Sequence, residues 1–365
     1  MKISIERDVL LKPLQQVIGA VEKRNTMPAL ANILIKADTN QVQFTATDLE
    51  IELQSTIEHP VEQAGETTLP ARKLMDICKA LPEGAQIEIS IDDSKAVVKS
   101  GRSRFSLVSL PASEFPVLEE ITSSKQFSLS QSLLKGLIDK TAFAMAHQDV
   151  RYYLNGLMLE VSANTVRSVA TDGHRLALSE TTADIDTESA QQVIVPRKGV
   201  HELSRLLDEE GDANVQISAN HIRVSMDGLR FTSKLIDGRF PDYDRVLPKG
   251  GDKELIIERD TLRQALGRAS ILSNEKYRGI RLMIEPGKMS IQAHNPEQEE
   301  AEDEIEINYQ GDTLEIGFNV NYLIDVLNTL KQDTVLITLK DSNSSALIQN
   351  DQSGLDKYVV MPMRL

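Results

Sequence analysis

The sequence contains no tryptophan, a single cysteine and few aromatic residues, which make up 4% of its 365 residues. Because Cys78 is alone, an intrachain disulfide and a thiolate metal cluster are excluded, as is typical of proteins in a reducing cytoplasm. No apolar run approaches the roughly 18 residues of a membrane span. Residues 1–8 are rich in charge and lead into no apolar signal region. We therefore expect a cytoplasmic protein whose cores are built mainly from leucine, isoleucine and valine.

Sequence patterns that indicate catalysis are also missing. The six histidines stand at 59, 147, 174, 201, 221 and 294, and no two have the i, i+4 spacing of a helical metal site. No Gly-Lys-Ser/Thr phosphate loop, G-x-G-x-x-G or G-x-S-x-G occurs. His174, close to Asp172 and Arg175, could serve in an acid–base site, but no nucleophile or second base is near it in sequence. A contact role for His174 is favoured, and we predict no catalytic residue and no cofactor.

The acidic run at 297–304 allows two interpretations. Its carboxylates could hold Mg²⁺ or Ca²⁺, which would make the chain a metal-dependent enzyme. They lack the glycine turn of a calcium loop, however. A charged, exposed edge strand that meets a basic partner fits better. We predict no metal site and keep the metal-dependent enzyme as the alternative function.

One sequence pattern occurs three times. Alternating strands lead into amphipathic helices, and these strand–helix segments begin at Ile3, Phe127 and Leu255. A turn motif recurs 124 and then 123 residues further on, as Ala46-Thr47-Asp48, Ala170-Thr171-Asp172 and Ala293-His294-Asn295. A second helix follows in each repeat, after Leu69, Val195 and Gly317. The pattern predicts three similar α+β domains, at residues 1–121, 126–246 and 253–365.

The distribution of charge differs between the helices and the rest of the chain. Lysine and arginine number 40 against 55 aspartates and glutamates, and this net charge of −15 by itself argues against a nucleic-acid partner. Yet five of six predicted helix windows are positive, and together they carry +7; the windows are 8–24, 71–81, 129–146, 197–207, 260–272 and 319–332. Lysine and arginine are good helix formers, which offers a plain alternative. A helix-lined surface that contacts phosphate without reading bases explains all five windows together.

Several stretches are specific enough to indicate a family. They are His147-Gln-Asp-Val-Arg-Tyr-Tyr-Leu-Asn-Gly156, Ala170-Thr-Asp-Gly-His-Arg-Leu176, Asp237-Gly-Arg-Phe-Pro-Asp-Tyr243 and Tyr358-Val-Val-Met-Pro-Met-Arg-Leu365. With the length and the repeat, they resemble the bacterial DNA polymerase III beta subunits, the β sliding clamps, over essentially the whole chain. The resemblance implies three similar domains of the clamp fold, each with two helices on antiparallel sheets, and a head-to-tail homodimeric ring around duplex DNA.

The resemblance also implies a function and a set of partners. The chain would be a non-catalytic processivity factor that tethers the replicative polymerase to DNA. Further partners would be an ATP-driven clamp loader, other DNA polymerases, and mismatch-repair or ligase proteins. A monomeric peptide-binding scaffold without a DNA role is the lesser alternative.

A partner-peptide pocket between the second and third domains is part of the resemblance, and it takes peptides of the Gln-Leu-x-Leu-Phe type. The matching positions are Arg151, Leu154, Thr171, Gly173, His174, Arg175, Leu176, Pro241, Arg245, Val246, Ser345, Val359, Met361, Pro362, Met363 and Arg364. Leucine, valine and methionine would make an apolar floor that adapts to different peptides. Asn343 stands where family members often carry an apolar residue.

The remaining candidate residues are implied at the ring closure and at the DNA. For the dimer interface they are Lys73, Arg102, Arg104, Phe105 and Leu107 on one side, and Ile271, Leu272, Glu297, Glu300 and Asp303 on the other. For DNA, the family positions are Arg24, Gln148, Tyr152 and Tyr153. The helix charges add Arg72, Arg197 and Lys198.

Overall fold

The computed structural model describes residues 1–22, 27–92, 95–118, 122, 125–183, 185, 190–350 and 354–364. Within these ranges lie six α-helices and 24 strands, and all strand pairs are antiparallel. This architecture confirms the predicted α+β class. None of the helices in the described ranges combines the length and the apolar character needed to cross a membrane.

Every helix begins at the residue that follows the end of a strand. The helices are α1 (Arg7–Val17), α2 (Ala71–Ala80), α3 (Gln131–Thr141), α4 (Arg197–Leu206), α5 (Arg259–Ser270) and α6 (Val320–Thr329). The predicted helix windows 8–24 and 129–146 extend beyond the ends of α1 and α3, because each of these helices is followed by a single 3-10 turn. At the end of α3, the hydroxyl of Thr141 donates to the Leu137 carbonyl oxygen at 2.7 Å.

The chain divides into two compact units, and the first comprises Met1–Leu134 and His201–Leu235. It contains a four-stranded sheet in the order β1 (Lys2–Glu6), β6 (Gln86–Asp92), β7 (Lys95–Ser100) and β8 (Ser103–Val108). Its eight-stranded sheet has the order β5 (Gly65–Pro70), β2 (Asn32–Asp38), β3 (Gln41–Thr47), β4 (Ile51–Glu58), β16 (Leu229–Lys234), β15 (His221–Met226), β14 (Asp212–Ile217) and β9 (Lys125–Ser130). Phe44 and Phe231 are fully buried in this unit.

The second unit comprises Lys135–Val200 and Ile236–Leu365. Its eight-stranded sheet has the order β13 (Gln191–Pro196), β10 (Gly156–Val161), β11 (Thr165–Thr171), β12 (Arg175–Thr182), β24 (Asp356–Val360), β23 (Ala346–Gln349), β22 (Thr334–Leu339) and β17 (Lys253–Glu258). Its four-stranded sheet has the order β20 (Glu300–Glu306), β19 (Lys288–His294), β18 (Gly279–Glu285) and β21 (Leu314–Asn319). Phe318 and Tyr358 are fully buried here.

Sheet pairing crosses the domain boundaries that the sequence predicts. Strand β4 of the first repeat pairs with β16 of the middle repeat, and β12 of the middle repeat pairs with β24 of the last. Each compact unit is therefore built from parts of two repeats. Phe231 and Tyr358 occupy equivalent positions in the two joining strands, opposite Leu53 and Ala177. Two of the scarce aromatic residues are thus buried where repeats join.

Candidate functional site

The turn between β11 and β12 is held by the side chain of Asp172. Its Oδ1 accepts the backbone N–H of His174 at 2.9 Å, and Gly173 between them has a φ of +88°. The corresponding turn of the first repeat is made by Leu49 with a φ of +77°, so the turn alone does not demand glycine. A Cβ on Gly173 would lie 2.9 Å from the guanidinium of Arg151. The positive φ favours glycine here, and any larger residue would also require the guanidinium of Arg151 to shift.

Arg151 is held against the turn by Asp149. Its Nε and Nη2 donate to the two carboxylate oxygens of Asp149 at 3.0 and 2.8 Å, and Nη2 also donates to the Asp172 carbonyl oxygen at 3.2 Å. The hydrogen bonds from Arg151 lower the pKa of Asp149 to about 2. The Asn155 side chain bonds to the backbone N–H and C=O of Asp149 at 2.9 and 2.8 Å. A cation in a fixed position therefore borders the turn.

Arg175 is committed to contacts within the chain. Its Nε donates to Asp172 Oδ2 at 3.0 Å, its Nη1 to Asp325 Oδ2 at 2.6 Å and its Nη2 to a main-chain carbonyl at 2.8 Å. The guanidinium also lies 4.5 Å from the centroid of the Tyr322 ring, and its side chain is 12% exposed. Arg175 thus fastens β12 to α6. The neighbouring His174 is exposed and is open to a ligand.

An apolar cluster, the floor, lies within the same unit. It consists of Met158, Val169, Leu176, Leu178, Ile194, Phe240, Tyr243 and Val359. Five partly buried residues pack against it, namely Tyr153, Ile236, Val246, Leu247 and Leu347. The predicted pocket residues Leu176 and Val359 face each other across β12 and β24. Leu154, also predicted, is buried.

Two cavities open beside Asn343, which lines both of them. The first has a volume of about 550 Å³ and is lined by Arg245, Val246, Leu247, Pro248, Lys249, Gly251, Thr338, Leu339, Lys340, Asn343, Ser344, Ser345 and Leu347. The second has about 530 Å³ and is lined by Arg281, Glu315, Ile316, Gly317, Ser342, Asn343, Met363 and Arg364. The predicted residues Arg245, Val246 and Ser345 border the first cavity, and Met363 and Arg364 border the second.

The C-terminal segment is fixed by two backbone hydrogen bonds. The N–H of Met361 donates to the His174 carbonyl oxygen at 3.0 Å. The N–H of Met363 donates to the Gly317 carbonyl oxygen at 2.8 Å. The Met361 side chain is 36% exposed, and Pro362 is partly buried. These bonds set the two methionines beside the turn and the second cavity.

A partly buried network positions the segment that carries Pro241 and Arg245. Arg167 donates to the Tyr243 hydroxyl at 2.6 Å and, through Nε, to Glu180 at 2.8 Å. Burial raises the pKa of Tyr243 above its ordinary value. Pro241 and Arg245 themselves are exposed, and Arg245 pairs with a carboxylate three residues earlier at 2.8 Å.

The sequence interpretation missed two apolar residues of this site. Leu247 and Leu347 both line the first cavity and pack against the floor. Leu347 lies directly opposite Val359 in the β23–β24 pair. The alternation along β23, with Ala346 and Ile348 buried on one face, is the signal that could have indicated Leu347 for the other.

The DNA candidates of the second unit differ in how accessible they are. Gln148 has a φ of +55°, and the Tyr152 side chain is 57% exposed. Tyr153 packs against the floor, with its ring 5.8 Å from that of Tyr152 in an edge-on arrangement. Arg197 donates from Nη1 to the Met145 carbonyl oxygen at 3.0 Å.

The other DNA candidates are spread along the chain. Lys198 is partly buried and has an interaction within the chain. Arg72 is exposed on α2 of the first unit. Arg24 lies outside the described residues.

The interface candidates of the first unit lie on α2, on β8 and, for Arg102, in the turn just before β8. Arg102, Arg104 and Lys73 are exposed, and Phe105 is partly buried. Leu107 is only 8% exposed, so most of its side chain already packs within the unit. Along β8, the cation Arg104 thus alternates with the apolar Phe105 and Leu107, which lie on the opposite face of the strand.

The interface candidates of the second unit lie on β20, next to α5 and, for Glu297, in the turn before β20. Ile271 is 75% exposed, and Leu272 is partly buried. Glu297 and Glu300 are exposed. Asp303 accepts a hydrogen bond from Arg268 Nε at 2.6 Å, which lowers the pKa of Asp303.

The acidic strand alternates in exposure as an edge strand does. Glu300, Glu302 and Glu304 are exposed, whereas Ala301 and Asp303 are partly buried. Among the described residues, no three His, Cys, Asp or Glu side chains cluster as metal ligands.

Comparison with known proteins gives the chain three family matches. Residues 1–119 match the N-terminal domain of the DNA polymerase III beta subunit, residues 128–242 its central domain and residues 244–364 its C-terminal domain. The beta sliding clamp of Pseudomonas putida KT2440 is 56% identical over 368 residues, with 100% of both chains covered. That of Escherichia coli K12 is 51% identical with the same coverage.

Solved structures show the same fold. The crystal structure of the DNA polymerase III subunit beta from Pseudomonas aeruginosa is 54% identical, covers 100% of both chains and superposes with a TM-score of 0.98. A sliding clamp from the same species bound to griselimycin, 54% identical over 100% of both chains, gives a TM-score of 0.97.

Proposed function

This chain belongs to the family of the DNA polymerase III beta subunits, the beta sliding clamps, and from that premise we propose that it is a DNA polymerase processivity factor. Two copies form a ring that encircles duplex DNA and slides along it. The ring tethers the replicative polymerase, and other replication and repair proteins, through short peptides. The protein itself makes and breaks no bond.

The free edges of the two four-stranded sheets carry this proposal. Across the repeats, β8, β16 and β24 are equivalent last strands, and β4, β12 and β20 are equivalent strands that follow the recurring turn motif. Within the chain, β4 pairs with β16 and β12 pairs with β24. In the strand orders of the described sheets, β8 and β20 stand at edges without such a partner.

The opposite edges of these sheets are of a different kind. Strands β1 and β21 are equivalent to β9 and β13, and those remain edges even in the eight-stranded sheets. The two four-stranded sheets are therefore the halves of a third eight-stranded sheet, which a second copy completes by pairing its β8 with β20. This contact is heterologous, and two such contacts close a ring of two copies. The family resemblance supplies the number of copies.

The charge on the two edges supports the same pairing. Arg102 and Arg104 are exposed at β8, and Glu300, Glu302 and Glu304 are exposed on β20. Opposite charges across an antiparallel pair stabilise it. Charged edge strands also discourage pairing with unrelated chains, so the edges are selective for each other.

For partner peptides, we propose the surface formed by the β11–β12 turn, the C-terminal segment and the two cavities. Leucine and phenylalanine side chains of a peptide would lie over Val246, Leu247 and Leu347, which border the first cavity. The exposed His174 and the fixed Arg151 would orient polar groups of the peptide. Met361 and Met363 adapt their shape to different sequences.

For DNA, we propose contacts that serve only the phosphates. The exposed Tyr152, together with Gln148 and Tyr153, lies on one segment, and Arg72 is exposed on α2. Arg24, Arg197 and Lys198 complete the set. Arg197 already binds a main-chain carbonyl, so we expect a smaller role for it than for Arg72. Because these contacts are weak and independent of sequence, a closed ring can slide without dissociating.

The location and loading of the protein follow from the same proposal. A ring around chromosomal DNA works in the bacterial cytoplasm, where a single reduced cysteine is stable. The family resemblance implies that an ATP-driven loader opens the ring, and this agrees with a sequence that contains no phosphate-binding loop.

Retention on circular and linear DNA tests this function. The protein is loaded onto nicked circular DNA with a clamp loader, separated from free protein and divided, and one half is linearised with a restriction enzyme. We expect the clamp to stay on the circle and to run off the linear form. Equal loss from both forms would contradict a topological link.

A sedimentation measurement of mass distinguishes the proposed dimeric ring from the alternative of a monomeric peptide-binding scaffold. We expect twice the chain mass of 40.5 kDa at micromolar concentration. A mass of one chain at every concentration would favour the scaffold.

A further inference from the structure

A polar triad fastens the junction between β12 and β24. Ser179 and Asp356 face each other across the two strands, and the Ser179 hydroxyl donates to Asp356 Oδ1 at 2.6 Å. Lys140, the tenth residue of α3, binds Asp356 Oδ2 at 2.8 Å. The Asp356 side chain is only 6% exposed, so the cation and the hydroxyl together satisfy a buried carboxylate.

The last repeat carries two members of the same arrangement at the free edge of β20. Arg268 is the tenth residue of α5, and it donates to Asp303 on β20 at 2.6 Å. Asp303 faces Ile291 in the neighbouring strand just as Ser179 faces Ser168. Asp303 and Ser179 therefore occupy equivalent positions. Asp303 binds the tenth residue of the preceding helix directly, whereas Ser179 binds the carboxylate of Asp356, which in turn binds the tenth residue of α3.

The first repeat has a neutral version of this contact. Gln16 is the tenth residue of α1, and its Oε1 accepts the hydroxyl of Ser55 at 2.7 Å. Ser55 lies opposite Leu229 of the joining strand β16. In each junction, the joining strand thus places a third residue opposite the serine. This residue is Leu229 opposite Ser55 and Asp356 opposite Ser179.

The residue of β8 that corresponds to Leu229 and Asp356 is Ser103. Ser103 lies two residues before Phe105 in the β7–β8 pair. Leu229 lies two residues before Phe231 in the same way in the β15–β16 pair. Ser103 is exposed in the single chain. A joining strand with the shared register would set it directly opposite Asp303.

We propose that Ser103 of a second copy completes the Arg268–Asp303 pair and forms a triad across the subunit interface. This inference rests on the proposed pairing of β8 with β20. In the β12–β24 junction, the hydroxyl of Ser179 is on β12 and the carboxylate of Asp356 is on β24. At the subunit interface the two groups are exchanged, with the carboxylate on β20 and the hydroxyl on β8, while the cation is the tenth residue of the helix in both. The Ser103 hydroxyl donates to a carboxylate oxygen of Asp303.

The same register assigns the neighbouring pairs of the interface. Arg104 lies opposite Glu302, as Arg230 lies opposite Gln54, and Phe105 lies opposite Ala301, as Phe231 lies opposite Leu53. Glu302 is therefore the direct partner of Arg104, an assignment that the sequence alone did not make.

The test exchanges the two groups between the strands. The Ser103→Asp chain sets two carboxylates against each other, and the Asp303→Ser chain leaves Arg268 without its carboxylate. We expect each change alone to weaken the dimer by about tenfold or more, because like charges and unpaired charges across a strand pair are destabilising. The double variant restores the arrangement of the β12–β24 junction, and we expect its dissociation constant within about threefold of the original by the logic of a double-mutant cycle.

Mixing the two single variants gives a second measurement. A head-to-tail dimer of one Ser103→Asp chain with one Asp303→Ser chain has one original interface and one exchanged interface. Native mass spectrometry of mass-tagged chains should show mixed dimers in excess over both homodimers. A statistical mixture, or a double variant as weak as the two losses combined, would overturn the triad.

A matched control and the parent protein keep the outcomes distinct. Ser106→Asp adds the same charge to β8, opposite Glu300 in this register, and Asp303→Ser should not rescue it. If the unaltered protein never dimerises, the proposed function fails. If it dimerises but Ser103→Asp is not rescued, only the triad fails. Circular dichroism and melting of each variant verify that the chains are folded.

Discussion

The backbone N–H of Met361 donates a hydrogen bond to the carbonyl oxygen of His174 at 3.0 Å, which fastens the C-terminal segment to the β11–β12 turn. The exposed parts of the proposed peptide site are therefore held together by main-chain contacts.

Removing residues 361–365 should abolish partner-peptide binding while the dimer persists. Met361 is 36% exposed and Met363 is partly buried, so a peptide covers only part of each side chain, and we expect the loss of both to weaken binding by about tenfold or more. Fluorescence anisotropy with a labelled Gln-Leu-x-Leu-Phe-type peptide measures the affinity, and sedimentation measures the dimer. Unchanged affinity in the truncated protein would mean that the peptide binds elsewhere.

Substitution of Arg175 should mainly lower the stability of the fold, whereas substitution of His174 should mainly weaken peptide binding. Arg175→Ala breaks partly buried ion pairs with Asp172 and Asp325, and we expect a loss of about 3 kcal/mol in the free energy of unfolding. His174→Ala removes an exposed side chain and should change that free energy by less than about 0.5 kcal/mol. We expect His174→Ala to weaken peptide binding severalfold all the same. Chemical denaturation and anisotropy on both variants distinguish these roles, and equal destabilisation by both would refute the assignment.

Asn343→Val should tighten peptide binding. Asn343 is exposed and lines both cavities, so an apolar side chain there adds surface that a bound leucine or phenylalanine can cover. We expect a gain of about 1 kcal/mol, roughly fivefold in affinity. Asn308→Val, at an exposed position that lines neither cavity, serves as the control and should leave the affinity unchanged. Weaker binding by Asn343→Val would indicate that the amide itself contacts the peptide.

Cys78 should resist alkylation in the folded protein. Burial raises the pKa of its thiol to about 11, so little thiolate forms at pH 8. Mass spectrometry after iodoacetamide treatment should show slow modification at pH 8, and fast modification in denaturant. Since the folded-state pKa lies above the unfolded one, the stability from the protonated thiol is complete below pH 9 and is lost as the pH rises towards 11. Rapid labelling of the folded chain at pH 8 would contradict this burial.

The local order of elements could be predicted because it depends on neighbouring residues. Alternation in residues 3–5 predicts a strand, and β1 buries Ile3 and Ile5 while Ser4 is exposed. The helix after it buries Leu10, Leu14 and Val17 at helical spacing. Helix ends were less predictable, because a 3-10 turn and a side-chain bond such as that of Thr141 end a helix without a distinctive sequence pattern.

The contacts within the candidate site could be predicted only in part. The resemblance singled out the β11–β12 turn, yet sequence could not reveal that Arg175 spends its donors on Asp172 and Asp325 within the chain. Asp325 is 150 residues away, and no local pattern encodes a contact over that separation. Leu347 escaped notice for a similar reason, since its place beside Val359 depends on the β23–β24 register.

By itself the sequence determined the threefold repeat, the strand–helix order within each repeat, the family, and the absence of a disulfide framework. These depend on composition and on spacings that neighbouring residues define. Only the tertiary structure decided which strand edges join, because edge pairing is a long-range choice that identical local patterns leave open. Thus β16 and β24 pair with β4 and β12 within the chain, whereas β8, which is equivalent to β16 and β24, and β20, which is equivalent to β4 and β12, remain as sheet edges.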